Sequence, residues 1–243
     1  MKTFLVLVLA ILPLCAPKSI NGRVNEGEIA SEGQFPYQIS LEYYLTHVCS
    51  GSIINPSTIL TAAHCVDISG QRFLTVVVGR NYLMESGVVH SVKKQVAHEE
   101  FDSITFEHDI GLLKLTPKIS YNDRVQPIAL KRSHVGEGVD LIFSGWGRSA
   151  FPGTESLDLQ FIRLKTVSNE RCKYDHFFPP INDTQICTLT LEEKSTCAGD
   201  PGGPLVLENK QVGILSWDQP CGVKYPDIFT RVSSYIDWIK ANK

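Results

Sequence analysis

Cys197-Ala198-Gly199-Asp200-Pro201-Gly202-Gly203-Pro204 is the stretch on which the reading of this 243-residue chain turns. Three other segments give it context. Thr61-Ala62-Ala63-His64-Cys65 follows the strand-like Ser52-Ile53-Ile54, and His108-Asp109-Ile110-Gly111-Leu112-Leu113-Lys114-Leu115 places Asp109 45 residues beyond His64. Ser144-Gly145-Trp146-Gly147 lies mid-chain, and Ser216-Trp217 follows the late loop. The intervening text is short runs rich in Val, Ile and aromatic residues broken by turn residues, such as Phe73–Gly79 and Gln211–Trp217. Such spacing predicts an all-β sandwich or barrel. One segment has helical period instead: Val232, Tyr235, Ile236 and Ile239 form one stripe, with Asp237, Lys240 and Lys243 off it. That pattern predicts a C-terminal amphipathic helix docked on the β core.

Composition narrows the class. With 43% hydrophobic and 20% charged residues, the chain is neither disordered nor collagenous nor a coiled coil. A formal net charge of -3 offers no basic excess for phosphates, so nucleic acid is not an expected partner. Lys2 precedes an apolar run from Phe4 that ends at Ala16, too short for the roughly 20 residues of a membrane span. The run reads as a secretory signal peptide over 1–16, its end extendable to 19, with a short propeptide over 17–23. Residues 1–23 hold three basic residues and no acidic one, so their removal leaves 20 basic against 26 acidic residues, a charge of -6. Cys15 leaves too, and seven cysteines become six. Six in a secreted chain fit three disulfides, with 15 connectivities open. Neither Cys-x-x-Cys nor His-x-x-x-His spacing occurs, so no structural zinc is expected. Asn182-Asp183-Thr184 is a glycosylation sequon, whereas Asn55 is followed by Pro56.

Taken together, the four segments resemble the chymotrypsin-like (S1) serine protease family over the whole of residues 24–243. Within it the look is that of insect chymotrypsins, through Tyr225–Val232 and the six cysteines. The order His, Asp, then the Gly-Asp-x-Gly-Gly loop is the order of that family. The resemblance implies two packed antiparallel six-stranded β-barrels, at about 24–130 and 131–231, followed by a C-terminal helix over 232–243. It implies bridges Cys49–Cys65, Cys172–Cys187 and Cys197–Cys221, each worth about 2–4 kcal/mol. Arg23-Val24-Asn25-Glu26-Gly27 matches the activation site. Cleavage after Arg23 would free the Val24 amine to pair with Asp200, the residue before the nucleophile position.

The likeness makes His64 the general base and Asp109 the carboxylate that orients it. It puts Pro201 at the position of the nucleophile. Proline has no hydroxyl, and it has no backbone N–H to serve beside that of Gly199 in the oxyanion hole. Losing the nucleophile costs turnover a factor of about 10⁶. Losing one oxyanion donor costs about 10²–10³. Ser216 and Trp217 match the substrate-binding strand, and Asp218 stands where the family has glycine, so it narrows the pocket mouth. Ser195 at the pocket base implies a chymotrypsin-like preference, while Asp227 on the wall adds a carboxylate that favours Lys or Arg. Gly79-Arg80-Asn81 lacks the acidic residues of the family's calcium loop, so neither metal nor cofactor is expected. These readings point to a secreted, monomeric protease homologue without catalysis, whose partner is a protein or peptide (a protease, an inhibitor or a cascade component). The alternative is an active secreted endopeptidase in which Pro201 is a reading error or is bypassed.

Overall fold

The computed structural model describes residues 27–66, 73–147, 156–176, 178–190, 200–217 and 225–243. Six strands close the first barrel in the order β2 (Gln38–Tyr43), β3 (Thr46–Asn55), β4 (Thr58–Thr61), β7 (Gly111–Thr116), β6 (Val88–Ala97) and β5 (Leu74–Val78). Six more close the second: β10 (Gln160–Val167), β11 (Gln185–Thr190), β14 (Asp227–Arg231), β13 (Lys210–Trp217), β12 (Pro204–Leu207) and β9 (Asp140–Gly145), with β9 pairing back to β10. The expected architecture of two six-stranded antiparallel barrels is therefore present. Two short strands outside that barrel join the second sheet. β1 (Glu28–Ile29) pairs with β10, and β8 (Ala129–Leu130) runs parallel to β13.

The period of two along the strands explains both the cores and the surface where the barrels meet. In β2 and β3, Ile39, Leu41 and Ile53 fill the first barrel together with Ile59, Leu60, Val76 and Leu112. The alternating positions Gln38, Ser40, Ser50 and Ser52 are buried as well. They meet the second barrel, where a buried polar group is tolerated only if it is hydrogen-bonded. Ser144 Oγ donates to Gln38 Oε1 at 2.8 Å, Gln38 Nε2 donates to Ser50 Oγ at 3.0 Å, and Ser52 Oγ donates to Gln211 Oε1 at 2.6 Å. The second core is built on Leu141, Phe143, Leu164, Ile186, Leu205, Leu215 and Phe229.

The C-terminal stripe departs from a simple helix over 232–243. Val232–Tyr235 is a 3₁₀ turn, and the α-helix α3 runs only from Ile236 to Asn242. The chain leaves β14 with Arg231 extended, and the tighter turn brings Val232 and Tyr235 inward before the α pitch begins. Val232, Tyr235 and Ile239 pack into the core of the first barrel, so the tail of the second half crosses back over the first. Of the expected bridges, Cys49–Cys65 and Cys172–Cys187 are formed. Cys197 and Cys221 lie outside the described residues.

Two outcomes test this packing. Ser52→Ala strands the buried Gln211 Oε1 and is expected to lower the unfolding free energy by about 1–3 kcal/mol, read from urea denaturation. Burial pushes the Tyr37 phenol well above its ordinary value, with a hydrogen bond to Ser144 opposing it in part. A raised value means that stability is intact below the ordinary tyrosine range near pH 10 and is lost above it, where the unfolded chain sheds a proton that the folded chain keeps. Tyr37→Phe should flatten the alkaline fall in melting temperature.

Candidate active site

His64 sits in α1, the single turn Ala63–Val66 that follows β4, and Asp109 immediately precedes Ile110 and β7. β4 and β7 pair directly, Thr61 opposite Gly111, so the two sequence-distant residues emerge side by side. Gly111 permits this approach, because a Cβ there would meet Val66 Cγ2 at 2.6 Å and Ala62 O at 3.0 Å. The Asp109 carboxylate has no exposure to solvent. It accepts from the His64 backbone N–H at 3.0 Å, faces His64 Nδ1 at 2.8 Å, and accepts from Ser216 Oγ on β13 at 2.5 Å. Thr230 Oγ1 on β14 donates to the Asp109 backbone carbonyl at 2.7 Å. The imidazole is thereby held by its Nδ1 edge, one-quarter exposed, with Phe106 edge-on at 5.7 Å. A buried carboxylate in this position fixes the orientation of the ring and leaves the Nε2 edge as the one not held by Asp109.

Asp200-Pro201-Gly202-Gly203 forms a closed turn with Gly203 N–H donating to Asp200 O at 3.0 Å. Proline at its second position and Gly202 at φ +81° in the third match a type II turn, which asks for a fixed negative φ and then a positive one. The turn is stitched to both barrels: Ser50 N–H donates to Pro201 O at 2.8 Å, and Gly202 N–H donates to Leu215 O at 2.8 Å. A Cβ on Gly202 would collide with Thr61 Oγ1 and Ser50 O and would lie 3.2 Å from Ala62 N. The Pro201 turn is therefore pressed against the segment that carries His64. Proline suits this backbone and does not tilt the loop away.

The Asp200 side chain is almost wholly buried, with three partners, of which the sequence reading did not single out His47 and Ser50. His47 Nε2 lies 3.1 Å from Oδ1, Ser50 Oγ donates to Oδ2 at 3.1 Å, and the Trp146 backbone N–H also donates to Oδ2. His47 Nδ1 in turn meets Ser40 Oγ at 2.7 Å, and Arg80 joins Ser40 to the buried Glu42. His47 and Asp200 are 153 residues apart, and no local pattern marks His47. Its only sequence signal is a polar residue three positions before Ser50. Arg23, Val24, Ser195, Gly199 and Asp218 lie outside the described residues.

The remaining candidates lie on or beside β11, β13 and β14. Ser216 is turned to Asp109, so its hydroxyl supports the carboxylate. Trp217 ends β13, with its ring edge-on to the buried His176 at 5.0 Å. His176 was not foreseen; its Nε2 faces Pro226 O at 2.8 Å and backs the Trp217 wall. Asp227 opens β14 and is buried, paired in register with Thr188. Asn182 is half-buried. Its Nδ2, the atom to which a glycan attaches, donates to Glu107 Oε1 at 2.9 Å, and its Oδ1 accepts from Thr184 N–H at 3.0 Å.

Residues 24–239 match the family described as trypsin. The chain belongs to the trypsin family of serine proteases. Chymotrypsin-2 of Vespa crabro is 38% identical over 89% of this chain and 98% of its own length. Trypsin epsilon of Drosophila erecta is 32% identical over 91% of this chain and 88% of its own. Among solved structures, mouse neuropsin, a serine protease expressed in the limbic system of the brain, superposes with a TM-score of 0.82 at 28% identity, covering 89% of this chain and 98% of its own. Against that trypsin-family background, His64 and Asp109 stand paired, and Pro201 sits in a tight turn pressed against the segment that carries them.

The turn geometry yields a prediction opposite in sign to the catalytic one. Because Pro201 fits a position that wants its fixed φ, Pro201→Ser should lower stability by about 0.4–1 kcal/mol. Thermal unfolding of the two proteins side by side reads this directly; a more stable serine variant would contradict the turn assignment.

Proposed function

We propose that this trypsin-family chain is a secreted, non-catalytic protease homologue that acts by binding, as a decoy for inhibitors or as a cofactor in a proteolytic pathway. The observation that carries the reading is Pro201 itself. The position that the Gly-Asp-x-Gly-Gly frame assigns to the nucleophile has neither a hydroxyl to attack a carbonyl nor an N–H to hold the resulting oxyanion. His64 and Asp109 can move and orient a proton, but no acyl-enzyme forms at Pro201. Asp218, by its place in the motif, narrows the primary pocket further, which suits a surface that holds a partner without cutting it. The partner is a protein or peptide, either an inhibitor whose loop fits a protease cleft or a protease of the same pathway. Among the described residues no helix is long and apolar enough to cross a membrane, and the two disulfides suit an oxidising compartment.

Maturation by cleavage after Arg23 belongs to the same proposal. The freed Val24 amine would take the place of His47 at the Asp200 carboxylate, exchanging one buried cationic or hydrogen-bonding partner for another. Cys197–Cys221 would then brace the loop, with Ser195 and Gly199 on the pocket side of it.

Fluorophosphonate labelling after cleavage at Arg23 tests the reading. The native protein is expected to take no label, and the Pro201→Ser protein is expected to take label at residue 201. Covalent label on the native chain would overturn the non-catalytic reading and restore an active endopeptidase with a different nucleophile. Binding of a Kunitz-type inhibitor to the unlabelled native protein, weakened by Trp217→Ala, is the matching test of the cleft.

A further inference from the structure

A second cluster of side chains lies on the loop that leads into Asp109, outside the pairings described above. His98 follows β6, Glu100 comes two residues later, and His108 directly precedes Asp109. One ligand atom from each of the three lies within 4.8 Å of the others. The His98 and His108 rings stack at a centroid distance of 4.8 Å with an interplanar angle of 12°, and His108 Nε2 lies 3.8 Å from Glu100 Oε2. Short metal-motif spacing does not mark this group, because the nine residues between the histidines are folded back by the backbone. His98 N–H donates to Ile110 O at 3.0 Å, Asp102 N–H donates to Glu107 O at 3.1 Å, and Phe106 N–H donates to Asp102 O at 2.8 Å. His108 completes the return with a positive φ of 55°.

We propose that His98, Glu100 and His108 form a binding site for one divalent transition-metal ion of the zinc class, with solvent in the fourth position. Two imidazoles and a carboxylate are a donor set for zinc-like ions, whereas calcium and magnesium ask for oxygen ligands throughout. Both rings are held in place, His108 by a hydrogen bond and His98 by aromatic packing. His108 Nδ1 lies 3.0 Å from the Tyr235 hydroxyl, and in the tautomer that a metal ligand needs Nδ1–H donates to Tyr235 and Nε2 keeps its lone pair for the ion. The His98 ring is braced by Tyr235 edge-on at 5.4 Å and by Trp238 at 5.1 Å. Its Nδ1 accepts a long hydrogen bond from Glu100 N–H, 3.2 Å, which the ion replaces. Tetrahedral coordination at zinc–nitrogen distances brings ligand atoms to about 3.4 Å of one another. The Glu100 side chain is 71% exposed and free to close most of that gap. The other grouping of potential ligands, Cys49, His64 and Cys65, is not available, because both sulfurs are in one disulfide. An ion at the loop site would tie His98 to the residue next to Asp109 and stiffen the segment that carries Phe106 against His64.

Isothermal calorimetry of the untagged secreted protein with ZnCl₂, beside CaCl₂, tests this. One equivalent of Zn²⁺ is expected to bind, with no heat from Ca²⁺. His98→Ala, His108→Ala and Glu100→Gln are each expected to weaken Zn²⁺ binding at least about 10-fold. Glu100→Gln, at an exposed position, keeps the fold should either histidine variant fail to fold. Co²⁺ in place of zinc should show visible d–d absorption that Glu100→Gln alters. No zinc binding to the native protein, or binding unchanged in Glu100→Gln and the folded histidine variants, would overturn the site.

Discussion

Asp109 is a carboxylate with no access to water at the seam of two barrels, and burying such a charge is costly unless every lone pair is used. Its donors come from both sides of the seam. His64 supplies two from the turn after β4, and Ser216 supplies a third from β13, while Thr230 on β14 holds the backbone carbonyl. The interaction that would orient a catalytic imidazole is thus also a fastening between barrels. Removing either half leaves buried polar atoms unpaired, which is among the more destructive single changes a fold can suffer.

The nucleophile loop obeys a different constraint. Asp200–Gly203 must turn sharply between Ser50 on β3 and Leu215 on β13, and the turn type is set by Gly202 and its closing hydrogen bond. Nothing in that geometry requires a hydroxyl at the second position. Proline pre-sets the backbone angle there, its carbonyl still accepts from Ser50, and the N–H it lacks is not the one that closes the turn. Loss of the nucleophile and retention of the frame are therefore compatible. The frame depends on the main chain and on glycine, and catalysis depends on one side chain and one N–H.

Much of this was legible in the residues because it is local. Short β-type runs mark strands of both barrels: Phe73–Gly79 contains β5, and Gln211–Trp217 lies in β13. The stripe Val232, Tyr235, Ile239 marks the buried face of the C-terminal segment, although not its 3₁₀ start nor its docking on the first barrel. The pairing of His64 with Asp109 was legible through motif and spacing. What stayed hidden is contact between distant strands. His47 reaches Asp200 because a register shift in the β2–β3 pair sets it opposite Glu42 and so on the face of Ser40 and Ser50, an irregularity that a period of two cannot specify. His176 behind Trp217 and the His98–His108 stack are hidden for the same reason.

The polar seam also bears on why a chain with proline at position 201 would keep so much of a protease. Ser144, Gln38 and Ser50 satisfy one another across the barrels and lead to Asp200, Ser52 pairs with Gln211, and Asp109 is held by donors of its own from both sides. Apolar packing alone would let two barrels slide; paired polar groups admit few registers, because each shift strands several of them at once. His64 is then held to Asp109 as part of the seam whether or not it ever receives a proton from a nucleophile. Under the non-catalytic reading its survival needs no residual chemistry. It follows from the cost of leaving Asp109 buried with too few donors, and that cost falls on folding rather than on turnover.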